Sequence, residues 1–313
     1  MHYAVAVGCI FRYSMPFREG KNWAKIFSFF RENNITRIET ESYGRFFVSD
    51  AVYADYLNFL AKEEAKGLEV SLHRGGGDLS APLEAARKTA VSAVLKELER
   101  NLRFINPSLL VLHPGAVCLD EADEARRYRH LAESLKPILE KCAKHRIKLC
   151  VENMRWQYPV KGEMELEALL GKTGVERCLR EEPDKAFIRV GSDLKRLEEF
   201  VMSFKSDHIG ICLDTGHAHI SEGKKFSEKM KKYGAKICHV HASDNFGRND
   251  DHLPPSKAAI DWDAFFAALR AMNYTGWYEL EIVLKEAQNA SDEHILKVIS
   301  EGQEFAASNL TYS

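Results

Sequence analysis

Residues 235–241 read AKICHVH and residues 276–282 read GWYELEI, two short β-rich runs whose two faces differ in character. Side chains alternate along a strand. Ile237, His239 and His241 therefore share one face with Cys238 and Val240 opposite, and Trp277, Glu279 and Glu281 lie opposite Tyr278, Leu280 and Ile282. The apolar faces suit packing against outer helices, which leaves the polar faces directed into a common interior. Six further runs are strand-like: YAVAVGC at 3–9, ITRIET at 35–40, LEVSLH at 68–73, SLLVLH at 108–113, IKLCVE at 147–152 and IGICLD at 209–214. Between them lie stretches of helical period, such as Tyr53, Tyr56, Leu57 and Leu60, or Phe265, Phe266, Leu269 and Met272. Eight strand-helix units in strict alternation predict an α/β fold, a single (β/α)8 TIM barrel over residues 1–313, with a doubly wound open sheet as the alternative. The polar stretch 172–192 is expected to form an extra loop before a helix, not a domain boundary.

The composition suits a large soluble core: 45% of the 313 residues are hydrophobic and 29% charged, which excludes a disordered chain. A formal net charge of -2 provides no broad field to draw nucleic acid or an anionic membrane. The opening MHYAVAVGCIFRYS lacks the basic and long apolar regions of a secretory signal, and no window reaches the ~18 apolar residues of a membrane span. A cytoplasmic location is expected. The seven cysteines show no C-x-x-C spacing, and Cys9, Cys150, Cys212 and Cys238 fall in strand-like runs, as buried thiols of a reducing compartment do. Apolar outer helices, if exposed, would favour a homo-oligomer.

Six strands end in an ionisable side chain: His73, His113, Glu152, Asp214, His241 and Glu281. Barrel enzymes place their chemistry at this rim. Two carboxylates ~4 Å apart repel by about 4 kcal/mol at an effective dielectric of ~20, so Glu152, Asp214 and Glu281 cannot share a mouth without protons or cations. Mixed carboxylate and imidazole ligands suit zinc or manganese, and the absence of thiols at strand ends argues against a structural cysteine-type zinc site. LDTGH adds His217 in the turn after Asp214, and HVHASDNFGRNDDH at 239–252 adds Asp250 and His252 in a loop able to fold over the mouth. His239 is expected one layer deeper, and Asp244 and Asp251 are expected to order the loop or face water.

The set HPG, VEN, LDTGH, HASDNFGRNDDH followed by IDW, and GWYELEI resembles the xylose isomerase-like barrel superfamily, which contains sugar phosphate isomerases and epimerases as well as endonuclease IV. The resemblance runs from His73 to Glu281. Its epimerase branch implies one divalent metal held by Glu152, Asp214, His241 and Glu281. The two glutamates would be catalytic, moving protons on opposite faces of a ketose through an enediol-like intermediate whose negative oxygen the metal stabilises, with His217 and Arg248 binding substrate oxygens. Its endonuclease IV branch implies three zinc ions: His73 and His113 on one, with Glu152 shared; Asp214, His241 and Glu281 on the second; His217, Asp250 and His252 on the third.

The start VAVGCIFRYSMPFREG lacks the Gly-Ala-His opening and Gly-Gly turn of endonuclease IV, and no basic, aromatic-interleaved loops suited to a kinked duplex are evident. Relatives carry a Pro-Gly-x-Gly turn before IDW where this chain has LPPSKAAIDW, which removes backbone freedom and puts the inherited substrate contact on other groups, Lys257 being one candidate. Arg155 and Trp156, just after Glu152, are candidates to bind a substrate anion and stack on a sugar face. The RGGG run at 74–77 gives a flexible loop without the spacing of a phosphate-binding loop. These features predict a metal-dependent isomerase or epimerase of a sugar, polyol or sugar phosphate. The alternatives are a trizinc phosphodiesterase and a barrel that binds carbohydrate without turnover.

Overall fold

The computed structural model describes residues 1–160, 164–284 and 291–310. Eight parallel strands, β1 (His2–Ala6), β2 (Arg37–Glu41), β3 (Glu69–Arg74), β4 (Leu109–Leu112), β5 (Lys148–Glu152), β6 (Ile209–Asp214), β7 (Ile237–Ala242) and β8 (Trp277–Leu280), pair in sequence order. β1 pairs with β8, from His2 against Trp277 to Val5 against Leu280, so the sheet closes into a single (β/α)8 barrel and the open-sheet alternative is excluded. The helices that position the site are α1 (Val7–Ile10), α2 (Met15–Arg18), α3 (Trp23–Glu32), α4 (Asp50–Glu64), α5 (Glu84–Asn101), α6 (Glu121–Lys144), α7 (Met164–Glu181), α8 (Leu194–Ser203), α9 (Thr215–Glu222), α10 (Phe226–Tyr233), α11 (Trp262–Ala271) and α12 (Asp292–Leu310). Among the described residues no helix is long and apolar enough to cross a membrane.

The outward strand faces and the inner helix faces form one continuous core. Tyr53, Tyr56, Leu57 and Leu60 of α4 are fully buried in it, as are Tyr278, Leu280 and Ile282 around β8. A separate apolar floor fills the barrel interior, built from Ala4, Leu109, Val111, Cys150, Cys212 and Trp277. Above this floor the inward side chains turn polar.

Three local expectations are corrected. β1 stops at Ala6 and the chain turns helical at once, so Cys9 belongs to α1 and not to a strand. Residues 172–181 are the second half of α7, which bends at Gly171 (φ +70°); only the following stretch is irregular, bridged to the body through Gln157 with Phe187 and Val117 with Arg189. The third correction lies in β7. Its pairing with β6 shifts register between Ile211 and Cys212, so Ile237 packs in the outer core while Cys238 turns inward beside Cys150, their sulfurs 3.3 Å apart. A bulge places two successive residues on one side, and the simple alternation holds only from His239 onward. Among the described residues all seven cysteines are free thiols, six buried and Cys238 half-buried.

Candidate active site

Asp214 shows how local folding builds the mouth. It ends β6 and caps α9, its Oδ1 accepting the His217 backbone N–H at 2.6 Å, so one carboxylate both starts the helix and fixes where His217 points. Gly216 is needed between them: a Cβ there would sit 2.9 Å from Asn245 Nδ2 and Ser243 Oγ. Asn153 clamps the same strand end from β5, accepting from Asp214 N (2.6 Å) and donating to Asp214 O (3.1 Å). Asp244 organises the next loop. Fully buried, it accepts from Ala258 N, Ile260 N and Trp262 Nε1 at 3.1, 3.1 and 2.9 Å, which ties the IDW segment to the end of β7.

All nine residues proposed from the sequence as metal ligands converge. Donor atoms of Glu152, Asp214, His241 and Glu281 lie within 4.8 Å of one another, as do those of His73, His113 and Glu152. His73 Nε2 and His113 Nε2 approach Glu152 Oε2 to 3.3 and 3.1 Å, and His241 Nδ1 is 2.9 Å from Glu281 Oε2. In the third group Asp250 Oδ2 lies 3.2 Å from His217 Nε2 and 3.3 Å from His252 Nε2. The Nδ1 atoms of these two histidines face the carbonyls of Asn153 (2.9 Å) and Glu281 (3.3 Å). A carbonyl only accepts, so Nδ1 carries a proton in both, and Nε2, which faces Asp250, is the atom a metal ion would take in place of a proton.

Electrostatics divides the groups. Burial alone would keep the imidazoles neutral, but Glu39 and Glu152 hold His73 well above its ordinary range, and Asp250 raises His252 to about 10 against the same burial. Burial pushes Asp214 up to about 7, opposed by His217. Glu152 and Glu281 are held below the ordinary carboxylate range, His113 and His241 respectively overcoming burial. His113 is lowered by burial, with Glu152 opposing.

The donor set fits a divalent cation. Glu152 Oε2, Asp214 Oδ2, His241 Nδ1 and Glu281 Oε2 are buried without a well-aligned hydrogen bond, even where an imidazole nitrogen comes as close as His241 Nδ1 does to Glu281 Oε2, and buried polar atoms of this kind are costly unless something else satisfies them.

Glu39, which the sequence reading missed, lies beneath two of the histidines. Its Oε1 is 3.3 Å from His73 Nδ1 and its Oε2 3.3 Å from His241 Nε2, in each case the ring nitrogen turned away from the mouth. The sequence offered only a glutamate inside the strand-forming run ITRIET, which by itself does not tell an interior side chain from a solvated one. His239 lies deeper, as expected, its Nε2 3.0 Å from Glu279 Oε2.

The remaining candidates are placed differently. Arg155 reaches the third group, Nε 3.3 Å from Asp250 Oδ2, with Nη1 held by Gln157 Oε1 at 2.6 Å. Trp156 is half-buried and its backbone N–H donates to Ser221 Oγ. Arg248 is exposed and bound to Asp184, the Pro183 carbonyl and the Tyr158 ring, and Lys257 is exposed in its loop. Neither is brought to the clustered carboxylates. At Ser256, in the turn that precedes IDW, φ is +68°.

Closed barrel, strand-end carboxylates and imidazoles, and matching sequence together define the class: the chain belongs to the xylose isomerase-like TIM barrel family, whose pattern matches residues 38–306. The similarity to particular proteins is more distant. The matched segments span 26%, 66% and 32% of the length of three uncharacterized relatives, one from Sinorhizobium fredii and two from Methanocaldococcus jannaschii. A probable endonuclease 4 of Malacoplasma penetrans is 27% identical over 187 residues, 56% of this chain and 53% of that protein. Among solved structures, an L-ribulose 3-epimerase superposes with a TM-score of 0.71 at 17% identity, covering 99% of this chain and 95% of its own. The IolI protein with a bound zinc atom gives 0.72 at 14% identity over 100% of both chains.

Proposed function

We propose that this protein is a divalent-metal-dependent isomerase or epimerase of a sugar, polyol or sugar phosphate. The observation that carries the reading is the convergence of Glu152, Asp214, His241 and Glu281 in a buried mouth, two of the four being glutamates from β5 and from just beyond β8. The fold shared with an L-ribulose 3-epimerase and with zinc-bound IolI supports it. A zinc or manganese ion held by these four residues would supply positive charge to stabilise the negative oxygen that develops next to the reacting carbon.

Glu152 and Glu281 do the proton work. One, ionised, removes the proton from the carbon beside the substrate carbonyl, giving an enediolate; the other, which has taken a proton from solvent before this step, delivers it to the opposite face or the neighbouring carbon, and exchange with solvent resets both. His241 Nδ1, 2.9 Å from Glu281 Oε2, orients that glutamate, and His217, its Nδ1–H fixed by the Asn153 carbonyl, presents Nε2 to a substrate oxygen.

One observation favours a second reading. The third group, His217, Asp250 and His252, completes the nine-residue set of a trizinc phosphodiesterase, and a probable endonuclease 4 is among the relatives. Deuterium incorporation separates the two. Metal-loaded protein in D2O with a panel of ketoses is expected to place deuterium on the carbon beside the carbonyl, and Glu152→Gln to abolish this. Cleavage of a duplex containing an abasic site, with no exchange into any ketose, would overturn the isomerase reading in favour of the phosphodiesterase.

A further inference from the structure

Two segments that the metal-ligand set leaves unused meet beside it: the glycine run after Arg74 and the stretch from Arg12 to Arg18. Between them opens a cavity of about 590 Å³, lined by Arg12, Tyr13, Glu41, Tyr43, Gly75 and His113 among others. We propose that this cavity binds a polyhydroxy compound carrying an anionic group, a phosphate or a carboxylate, and that Arg12 recognises the charge. The inference rests on the isomerase reading and names its substrate class.

Position comes first. His113 belongs to both places, facing the cavity while its Nε2 lies 3.1 Å from Glu152 Oε2. Glu41 also lines a small void with His73 and Glu281, so the cavity floor adjoins the proposed metal ligands. A ligand seated here has its reactive end at the clustered carboxylates, and the volume lies within the usual range for small-molecule sites.

The charges come next. Among the described residues Arg12 Nη2 has Glu41 Oε1 and Cys9 Sγ each at 3.8 Å, so its ion pair with Glu41 is longer than a hydrogen bond. Arg18 adds a second cation to the wall, oriented by its Nε donating to the Phe46 carbonyl at 2.8 Å. Two guanidinium groups thus face one carboxylate, an excess of positive charge suited to a planar or tetrahedral oxyanion. Tyr13 lines the same cavity and offers a ring face to a sugar.

The glycine run explains why the wall is open. A Cβ on Gly75 would lie 3.2 Å from His113 Cε1, and Gly76 has φ +82°, so bare backbone forms this side. Arg74 holds the run in place through Glu97 Oε2 at 2.6 Å and the Gly76 carbonyl.

The test is calorimetric titration of metal-loaded protein, at constant ionic strength, with D-fructose, D-fructose 6-phosphate and D-fructuronate. At least one anionic probe is expected to bind about tenfold or more tightly than D-fructose, and whichever does so identifies phosphate or carboxylate as the recognised group. Arg12→Gln is expected to erase the preference and Arg12→Lys to restore part of it, both with unchanged metal content and circular dichroism. Failure of every anionic probe to exceed D-fructose overturns the inference, as does a preference that survives Arg12→Gln. Deuterium exchange reads the isomerase assignment independently: exchange without charge preference overturns the anion site alone.

Discussion

Glu39 is the residue on which two proposed ligands depend. By accepting from His73 Nδ1 and His241 Nε2 it fixes both rings with their other nitrogens toward the mouth. Glu39→Gln is expected to lower metal affinity by about 10- to 100-fold, measured by competition with a chelator, with the fold retained. Glu152→Gln and Glu281→Gln are expected to cost about 10² to 10⁴ in turnover, the usual worth of a positioned proton-transfer group. The strand-end residues were legible because each closes an apolar run, as Asp214 closes IGICLD. Glu39 was not, because nothing in ITRIET distinguishes an interior glutamate from a solvated one until the neighbouring strands bring histidines onto it.

At the scale of single elements, the bulge in β7 is what the sequence concealed. Alternation along AKICHVH assigns His239, Val240 and His241 correctly, yet places Ile237 and Cys238 on the wrong sides, because the register shift is set by β6. Gly210 makes room for it: a Cβ there would fall 2.4 Å from Cys238 Sγ and 3.0 Å from the Lys236 carbonyl. Gly210→Ala is therefore expected to destabilise the fold by about 1–3 kcal/mol in denaturant unfolding and to lower metal content by displacing His241. The loop before α11 carries the opposite strain. Ser256 holds a left-handed backbone that glycine adopts without penalty, and Ser256→Gly is expected to stabilise the protein by about 1 kcal/mol. The helical half of α7 was missed because KTGVERCLRE is highly polar and follows a glycine at which the chain bends.

For the whole molecule, closure of the barrel turns scattered strand ends into one site. His73 and Glu281 stand more than half the chain apart in sequence, yet His73 Nδ1 lies 3.8 Å from Glu281 Oε1. Eight alternating units made this closure readable, since a sheet of that count and handedness meets itself. The cavity at Arg12 was not readable, because its walls come from four separate segments, at the ends of β1, β2, β3 and β4, whose approach is a property of the closed sheet. A buried group of like charges held together by the fold should also couple metal to stability. Chelation is expected to lower the thermal unfolding midpoint by several degrees, since a ligand at ~100 times its Kd contributes about 2.7 kcal/mol.

The most direct measurement is metal content per chain, by elemental analysis, of protein saturated with zinc or manganese and cleared of excess by gel filtration, in the wild type and in Asp214→Asn. About one to three ions per chain in the wild type, with about one lost in Asp214→Asn, is expected of a site built from these side chains. A wild-type protein that retains no divalent metal, or an Asp214→Asn protein that keeps the full complement, would contradict it.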